Sequence, residues 1–193
     1  VPRRETETMI KWVREDFPGL QKEKDSALSL LDIGTGCGLL PILLGKELPI
    51  KTTAVDLSEK ALDVARENAE INKAEVQFIR GDIFTWKELP EEFDIIVSNP
   101  PYVLEKSRKD VQRKFLKYEP PEALYVKDDD PMIFNPKIAE LAKESLSDKG
   151  AVYVEINKYL GAETAGVFAE NGFRTEIRQD VYGSDRTVKA VRQ

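Results

Sequence analysis

The sequence predicts an α/β domain, doubly wound, whose seven-stranded and mostly parallel sheet closes with an antiparallel pair of strands at the C-terminal end. Three observations carry that prediction. Short apolar runs alternate with segments of helical period; the first run ends in Gly34-Thr35-Gly36-Cys37-Gly38; and the last two strand-like runs are separated by a short turn that contains Tyr182-Gly183-Ser184-Asp185. Strands separated by helices return to the same sheet edge and pair in parallel, whereas two strands joined by a short turn pair antiparallel.

Residues 1–24 read as a helix with Met9, Ile10 and Val13 turned inward, followed by a polar connection. The helix begins abruptly at the first residue, so a preceding segment is expected. Residues 28–33 form the first buried strand, and 39–48 a helix in which Pro41 is tolerated because the first turn needs no N–H there. Residues 52–56 are a second strand, after which Ser58 caps a helix carrying Leu62, Ala65 and Ala69 on one face. Residues 75–80 alternate as a third strand and 93–98 form a fourth. Ile138, Leu141, Ala142 and Leu146 mark one face of a helix before Gly150, and residues 151–156 a fifth strand. A helix over 161–171 stops at Asn171-Gly172, and strands over 174–179 and 186–191 close the chain.

A chain of 193 residues, 41% hydrophobic and 33% charged, has the size and balance of one globular domain, here residues 1–193 with 1–27 as leading helix and linker. No apolar stretch approaches the roughly 20 residues that span a bilayer, and the N-terminus lacks a basic segment followed by an apolar one, so a cytoplasmic protein is expected. Cys37 is the only cysteine and there is no histidine. An internal disulfide, the usual Cys/His zinc sets and histidine acid–base chemistry are thereby excluded, and no metal is expected. A net charge of −6 argues against broad phosphate-backbone binding, so direct nucleic-acid binding is not expected; a monomer is. Lys106, Arg108, Lys109, Arg113, Lys114 and Lys117 read as a solvated face. They lie in the weakly periodic stretch 103–131, long enough without structure to suggest a lid or partner surface.

Four motifs carry chemistry. Asp32-Ile33-Gly34-Thr35-Gly36-Cys37-Gly38 is a glycine-rich turn between a strand and a helix, where glycines permit the sharp bend and let a ligand approach the backbone. Its spacing departs from the common dinucleotide form, whose third glycine follows three residues after the second. Asp56, with Leu57 beside it, ends the second strand about twenty residues on, where a carboxylate accepts both hydrogen bonds of a ribose diol. Gly81-Asp82-Ile83 ends the third strand; Asp82 is placed to accept from an adenine amino group and Ile83 to cover the ring. Asn99-Pro100-Pro101-Tyr102 ends the fourth. Its adjacent prolines fix two φ angles and remove two donors, leaving a rigid loop that presents an amide, free carbonyls and an aromatic ring. Cys37 reads as a small residue in a close-packed helix start.

The order of glycine turn, acidic residue, Gly-Asp and Asn-Pro-Pro-Tyr resembles the class I S-adenosylmethionine-dependent methyltransferases that act on amino and amide nitrogens. More narrowly, Val1-Pro2-Arg3-Arg4-Glu5-Thr6-Glu7, Tyr118-Glu119-Pro120-Pro121-Glu122-Ala123-Leu124 and Gly183-Ser184-Asp185-Arg186 resemble segments of the release-factor glutamine methyltransferases, the HemK family. The chain departs from that family in having Val126-Lys127-Asp128-Asp129-Asp130-Pro131 where Gly-Gly-x-Asp-Gly is usual, and the family's leading helical domain is not expected within residues 1–193.

The resemblance implies a Rossmann-like fold that binds S-adenosylmethionine through Gly34, Thr35, Gly36, Cys37, Gly38, Asp56, Leu57, Asp82, Ile83 and Asn99. It also implies methyl transfer to the glutamine of a release factor's Gly-Gly-Gln motif, with Asn99, Pro100, Pro101 and Tyr102 at the reacting nitrogen. An exocyclic amino group of adenine or guanine is an alternative acceptor for the same loop, and a non-catalytic partner subunit a second alternative. Both the acidic balance and the opening Pro-Arg segment weigh against the nucleic-acid reading.

Overall fold

A computed structural model describes residues 6–106 and 125–193. The Pro2-Arg3 pair, the segment from Tyr118 to Leu124, and Arg108, Lys109, Arg113, Lys114 and Lys117 lie outside the described residues. In chain order the elements are α1 (Thr6–Lys22), β1 (Leu28–Ile33), α2 (Leu39–Glu47), β2 (Ile50–Asp56), α3 (Glu59–Asn72), β3 (Val76–Arg80) and a 3₁₀ turn (Ile83–Thr85). There follow β4 (Phe93–Ser98), β5 (Val103–Leu104), β6 (Tyr125–Val126), α4 (Phe134–Ser145), β7 (Leu146–Glu155), α5 (Gly161–Glu170), β8 (Phe173–Gln179) and β9 (Asp185–Arg192).

The main sheet has seven strands in the order β3-β2-β1-β4-β7-β9-β8. The first five are mutually parallel, and β9 pairs antiparallel with both β7 and β8. The chain moves outward from β1 through β2 to β3 and then returns to place β4 on the other side of β1. That reversal opens a crevice at the carboxyl ends of β1 and β4, where such sheets hold ligands.

Strands buried on both faces read as continuous apolar runs. In β1, Leu28 and Leu30 face one core and Leu31 and Ile33 the other. Met9, Trp12, Val13 and Phe17 of α1 and Leu40 and Leu44 of α2 cover the first face. Ile138, Leu141 and Ala142 of α4 and Phe168 of α5 cover the second. Trp12 meets Tyr153 edge-on with centroids 5.9 Å apart, the Arg178 guanidinium lies 4.2 Å from the Trp12 ring, and the Tyr153 hydroxyl donates to Asp16 at 2.7 Å. Burial, with Asp16 adding to it, pushes the Tyr153 phenol far above its ordinary range.

Three features differ from the sequence reading. Leu146 opens β7 instead of closing α4: Arg192 bonds the Leu146 and Lys143 carbonyls, and β7 begins five residues earlier than expected, with a register shift opposite Phe93 and Ile95. The stretch 103–131 is not wholly irregular, because β5 and β6 pair in parallel at its described ends. A 3₁₀ turn also follows β3. Among the described residues, no helix is long and apolar enough to cross a membrane.

Candidate active site

The glycine turn follows β1, and Gly34, Gly36 and Gly38 adopt φ of 75°, 56° and 79°, a region L side chains rarely enter. A Cβ at Gly34 or Gly36 would project into open space, which leaves the backbone bare toward the crevice. At Gly38 a Cβ would lie 3.1 Å from both Ala65 Cβ and Ile42 Cδ1, so that glycine lets α2 and α3 close together. The Gly34 and Thr35 N–H groups donate to the Val55 carbonyl at 2.9 and 3.0 Å, and the Cys37 carbonyl accepts from Asn68 Nδ2. These bonds clamp the turn to β2 and α3.

Asp56 stands at the end of β2 as expected, but it also organises the protein. Its Oδ2 accepts from the Gly36 N–H at 2.8 Å and its Oδ1 from the Ser58 N–H at 2.9 Å. Each carboxylate oxygen has two acceptor sites, so capacity for a diol remains. Ser58 caps α3 through Ala61, and Leu57 is held out beside Asp56 with 62% of its surface exposed. Asp82 Oδ1 accepts from the Phe84 N–H, which caps the 3₁₀ turn, while the Ile83 side chain packs into the core. Phe84, half-exposed and tilted against Phe134, was not singled out by the sequence.

Asp32, the last acidic residue of β1, is buried behind the turn. Burial pushes its carboxyl up to about 7; the nearby Thr35 hydroxyl lowers it in part and the Asp56 charge raises it further. Even so, Asp32 Oδ1 and the Thr35 hydroxyl make no hydrogen bond of acceptable geometry to the protein. Two orphaned polar atoms beside a bare glycine backbone describe a place that accepts a polar or cationic ligand group.

The Asn99-Pro100-Pro101-Tyr102 loop leaves β4 at the same edge. Asn99 Nδ2 donates to the Thr6 hydroxyl at 3.3 Å, the Tyr102 hydroxyl donates to Glu155 Oε1 at 2.8 Å, and Asn157 Nδ2 donates to the Tyr102 carbonyl at 3.1 Å. Glu155 Oε2 accepts in turn from the Thr6 hydroxyl at 2.8 Å. Pro100, Pro101, Tyr102, Glu155 and Asn157 line a small cleft together with Phe134. Glu155 and Asn157 are candidate site residues that the sequence reading did not single out, and Thr6 was read only as part of the opening segment, with no role at this loop. Glu155, an acidic residue within the buried run of β7, was the available signal.

A mostly parallel sheet in which β9 is reversed, a glycine turn after β1 and an Asn-Pro-Pro-Tyr loop after β4 define a Rossmann-like class I methyltransferase fold. Residues 18–124 match the family model described as methyltransferase small domain. The chain is 43% identical over 191 residues to the release factor glutamine methyltransferase of Flavobacterium psychrophilum, covering 98% of this chain and 66% of that protein. To its counterpart in Bacteroides thetaiotaomicron it is 40% identical over 195 residues, covering 100% and 68%. Among solved structures, magnesium protoporphyrin IX methyltransferase from Synechocystis PCC 6803 with bound SAH superposes with a TM-score of 0.61 at 19% identity, over 97% of this chain and 82% of that one. The chain therefore belongs to the release factor glutamine methyltransferase family, and it spans about two thirds of the length of the relatives it matches.

Proposed function

We propose that this chain is a single catalytic domain that transfers a methyl group from S-adenosylmethionine to the side-chain amide nitrogen of the glutamine in the Gly-Gly-Gln motif of peptide chain release factors, acting as a monomer in the cytoplasm. The observation that carries this reading is the Asn99 amide. With its NH₂ turned to Thr6, its carbonyl oxygen is the end left for a substrate NH₂, at the same sheet edge as the glycine turn.

The residues present fit the cofactor. The bare backbone of Gly34 to Gly38 admits it closely, Asp56 suits its ribose diol, Asp82 its adenine amino group, and the orphaned Asp32 and Thr35 oxygens its charged amino-acid end. Leu57 supplies apolar cover and Cys37 contributes backbone, whereas the Ile83 side chain, expected to cover the ring, is turned into the core. When bound, S-adenosylmethionine supplies an electrophilic methyl group on a sulfonium.

The chain must then overcome the weak nucleophilicity of an amide nitrogen, whose lone pair is delocalised into its carbonyl. Asn99 Oδ1 and the Pro100 carbonyl accept the two substrate N–H groups and turn the lone pair toward the methyl carbon. Pro101 holds that geometry and the Tyr102 ring lies against the planar amide. Positioning of this kind contributes up to about 7–11 kcal/mol. A proton leaves the nitrogen during or after attack, to water or a neighbouring acceptor, so no strong base is required.

The test is to give the protein methyl-labelled S-adenosylmethionine with a release factor and total RNA in one mixture. Label on the release factor is expected; label on RNA alone would assign the acceptor to a nucleobase and overturn the reading.

A further inference from the structure

We propose that Glu155 is a positioning residue that fixes which end of the Asn99 amide faces the substrate, acting through Thr6; the inference rests on the methyl-transfer reading above and deepens it. The argument is one of hydrogen-bond polarity. An ionised carboxylate accepts and cannot donate, a hydroxyl has one proton to give, and a primary amide donates from one end and accepts at the other.

Glu155 is 1% exposed at the end of β7 and Thr6 is 4% exposed at the start of α1. Because Glu155 Oε2 accepts, the Thr6 hydroxyl spends its one proton there, at 2.8 Å. Thr6 has only lone pairs left to offer. The Asn99 side chain 3.3 Å away must therefore turn its NH₂ toward Thr6, and its Oδ1 points the other way. Among the described residues, no group bonds that Oδ1. The second Glu155 oxygen holds the Tyr102 hydroxyl at 2.8 Å, so one carboxylate governs both ends of the Asn-Pro-Pro-Tyr loop.

The chemical consequence is specific. If the Asn99 amide turned over, it would present two donors to a substrate NH₂ that itself only donates, and the nitrogen would be pushed out of line. A Glu155→Gln amide breaks the polarity, since its NH₂ end opposes one of the two hydroxyls, Thr6 or Tyr102, with a donor. Thr6→Val removes the relay while keeping the shape, and Thr6→Ser restores it. This network joins residues 149 positions apart, so the start of α1 takes part in the catalytic loop as well as in the core.

Two measurements on the whole chain test the proposal. In the first, kcat and KM are determined with a release factor. Glu155→Gln and Thr6→Val should each lose about 10²-fold in kcat, the scale of a misplaced reacting group, with cofactor affinity by calorimetry unchanged. Thr6→Ser should retain most activity, and the Glu155→Gln/Thr6→Val double variant should fall little further than either alone. Undiminished kcat in Thr6→Val, or additive losses, would overturn the relay. The second measurement needs no substrate: in protein labelled with fluorotyrosine, the Tyr102 fluorine resonance, assigned with Tyr102→Phe, should shift in Glu155→Gln. An unmoved Tyr102 signal sinks the proposal whatever the acceptor proves to be. Wild-type inactivity on the release factor, with the Tyr102 signal shifted, overturns the glutamine reading and leaves Glu155 as the residue that holds the loop.

Discussion

Asp32 is an acid that folding places where its charge is poorly solvated. Its carboxyl is pushed up to about 7 by burial, against an ordinary value of 3.8, so between those values the folded state binds a proton that the unfolded chain does not. Stability must then fall as pH rises through that window. The melting temperature of the cofactor-free protein is expected to drop between about pH 4 and about pH 7, and Asp32→Asn should flatten that part of the profile while weakening cofactor binding. Parallel profiles for wild type and Asp32→Asn would show that the burial of this carboxylate does not carry the dependence. Asp56 accepts from the Gly36 and Ser58 N–H groups, one on each carboxylate oxygen. Those bonds make Asp56, the candidate acceptor for a ribose diol, a brace of the glycine turn as well. That second task was invisible in the sequence, where Asp56 and Gly36 are merely twenty positions apart.

At the scale of elements, α1 is the piece whose importance exceeds its length. It seals one face of the sheet with Met9, Trp12, Val13 and Phe17, and its first residue enters the loop after β4. Trp12 is fully enclosed between Tyr153 and Arg178. Trp12→Ala is expected to cost about 3–5 kcal/mol in urea unfolding, the range for emptying a large aromatic site. A loss below about 1 kcal/mol would mean that α1 is not an integral part of this core. At the opposite edge of the sheet, Asp94 accepts from Lys24, Ser29 and Ser147. Burial opposes its charge there, but those donors outweigh it and hold the carboxyl below the usual range. Its stabilisation is present above the ordinary carboxylate range and lost as pH falls through the lowered value, a window that lies below that of Asp32.

For the molecule as a whole, the strand and helix order was legible because β1, β4 and residues 150–155 of β7 are almost wholly buried and read as mainly apolar runs. Leu146 was misread because one buried leucine satisfies a helix face and a strand start equally well. Arg192, which takes its carbonyl, lies 46 residues away. The 3₁₀ turn and the β5–β6 pair are two or three residues long, too short to show a period. The candidate site was legible in its contiguous motifs, the glycine turn and Asn99-Pro100-Pro101-Tyr102; Glu155 and Asn157, and the contact of Thr6 with that loop, were illegible because tertiary contact assembles them. What unites these parts is the claim that the loop after β4 delivers a glutamine amide to a methyl donor held by the loop after β1. The most direct measurement is tandem mass spectrometry of the Gly-Gly-Gln peptide of a release factor treated with S-adenosylmethionine and either wild-type protein or Asn99→Ala. One methyl on the glutamine side-chain nitrogen with wild type, and almost none with Asn99→Ala despite retained cofactor binding, is the expected result; an unmodified glutamine with wild type, or full methylation by Asn99→Ala, contradicts it.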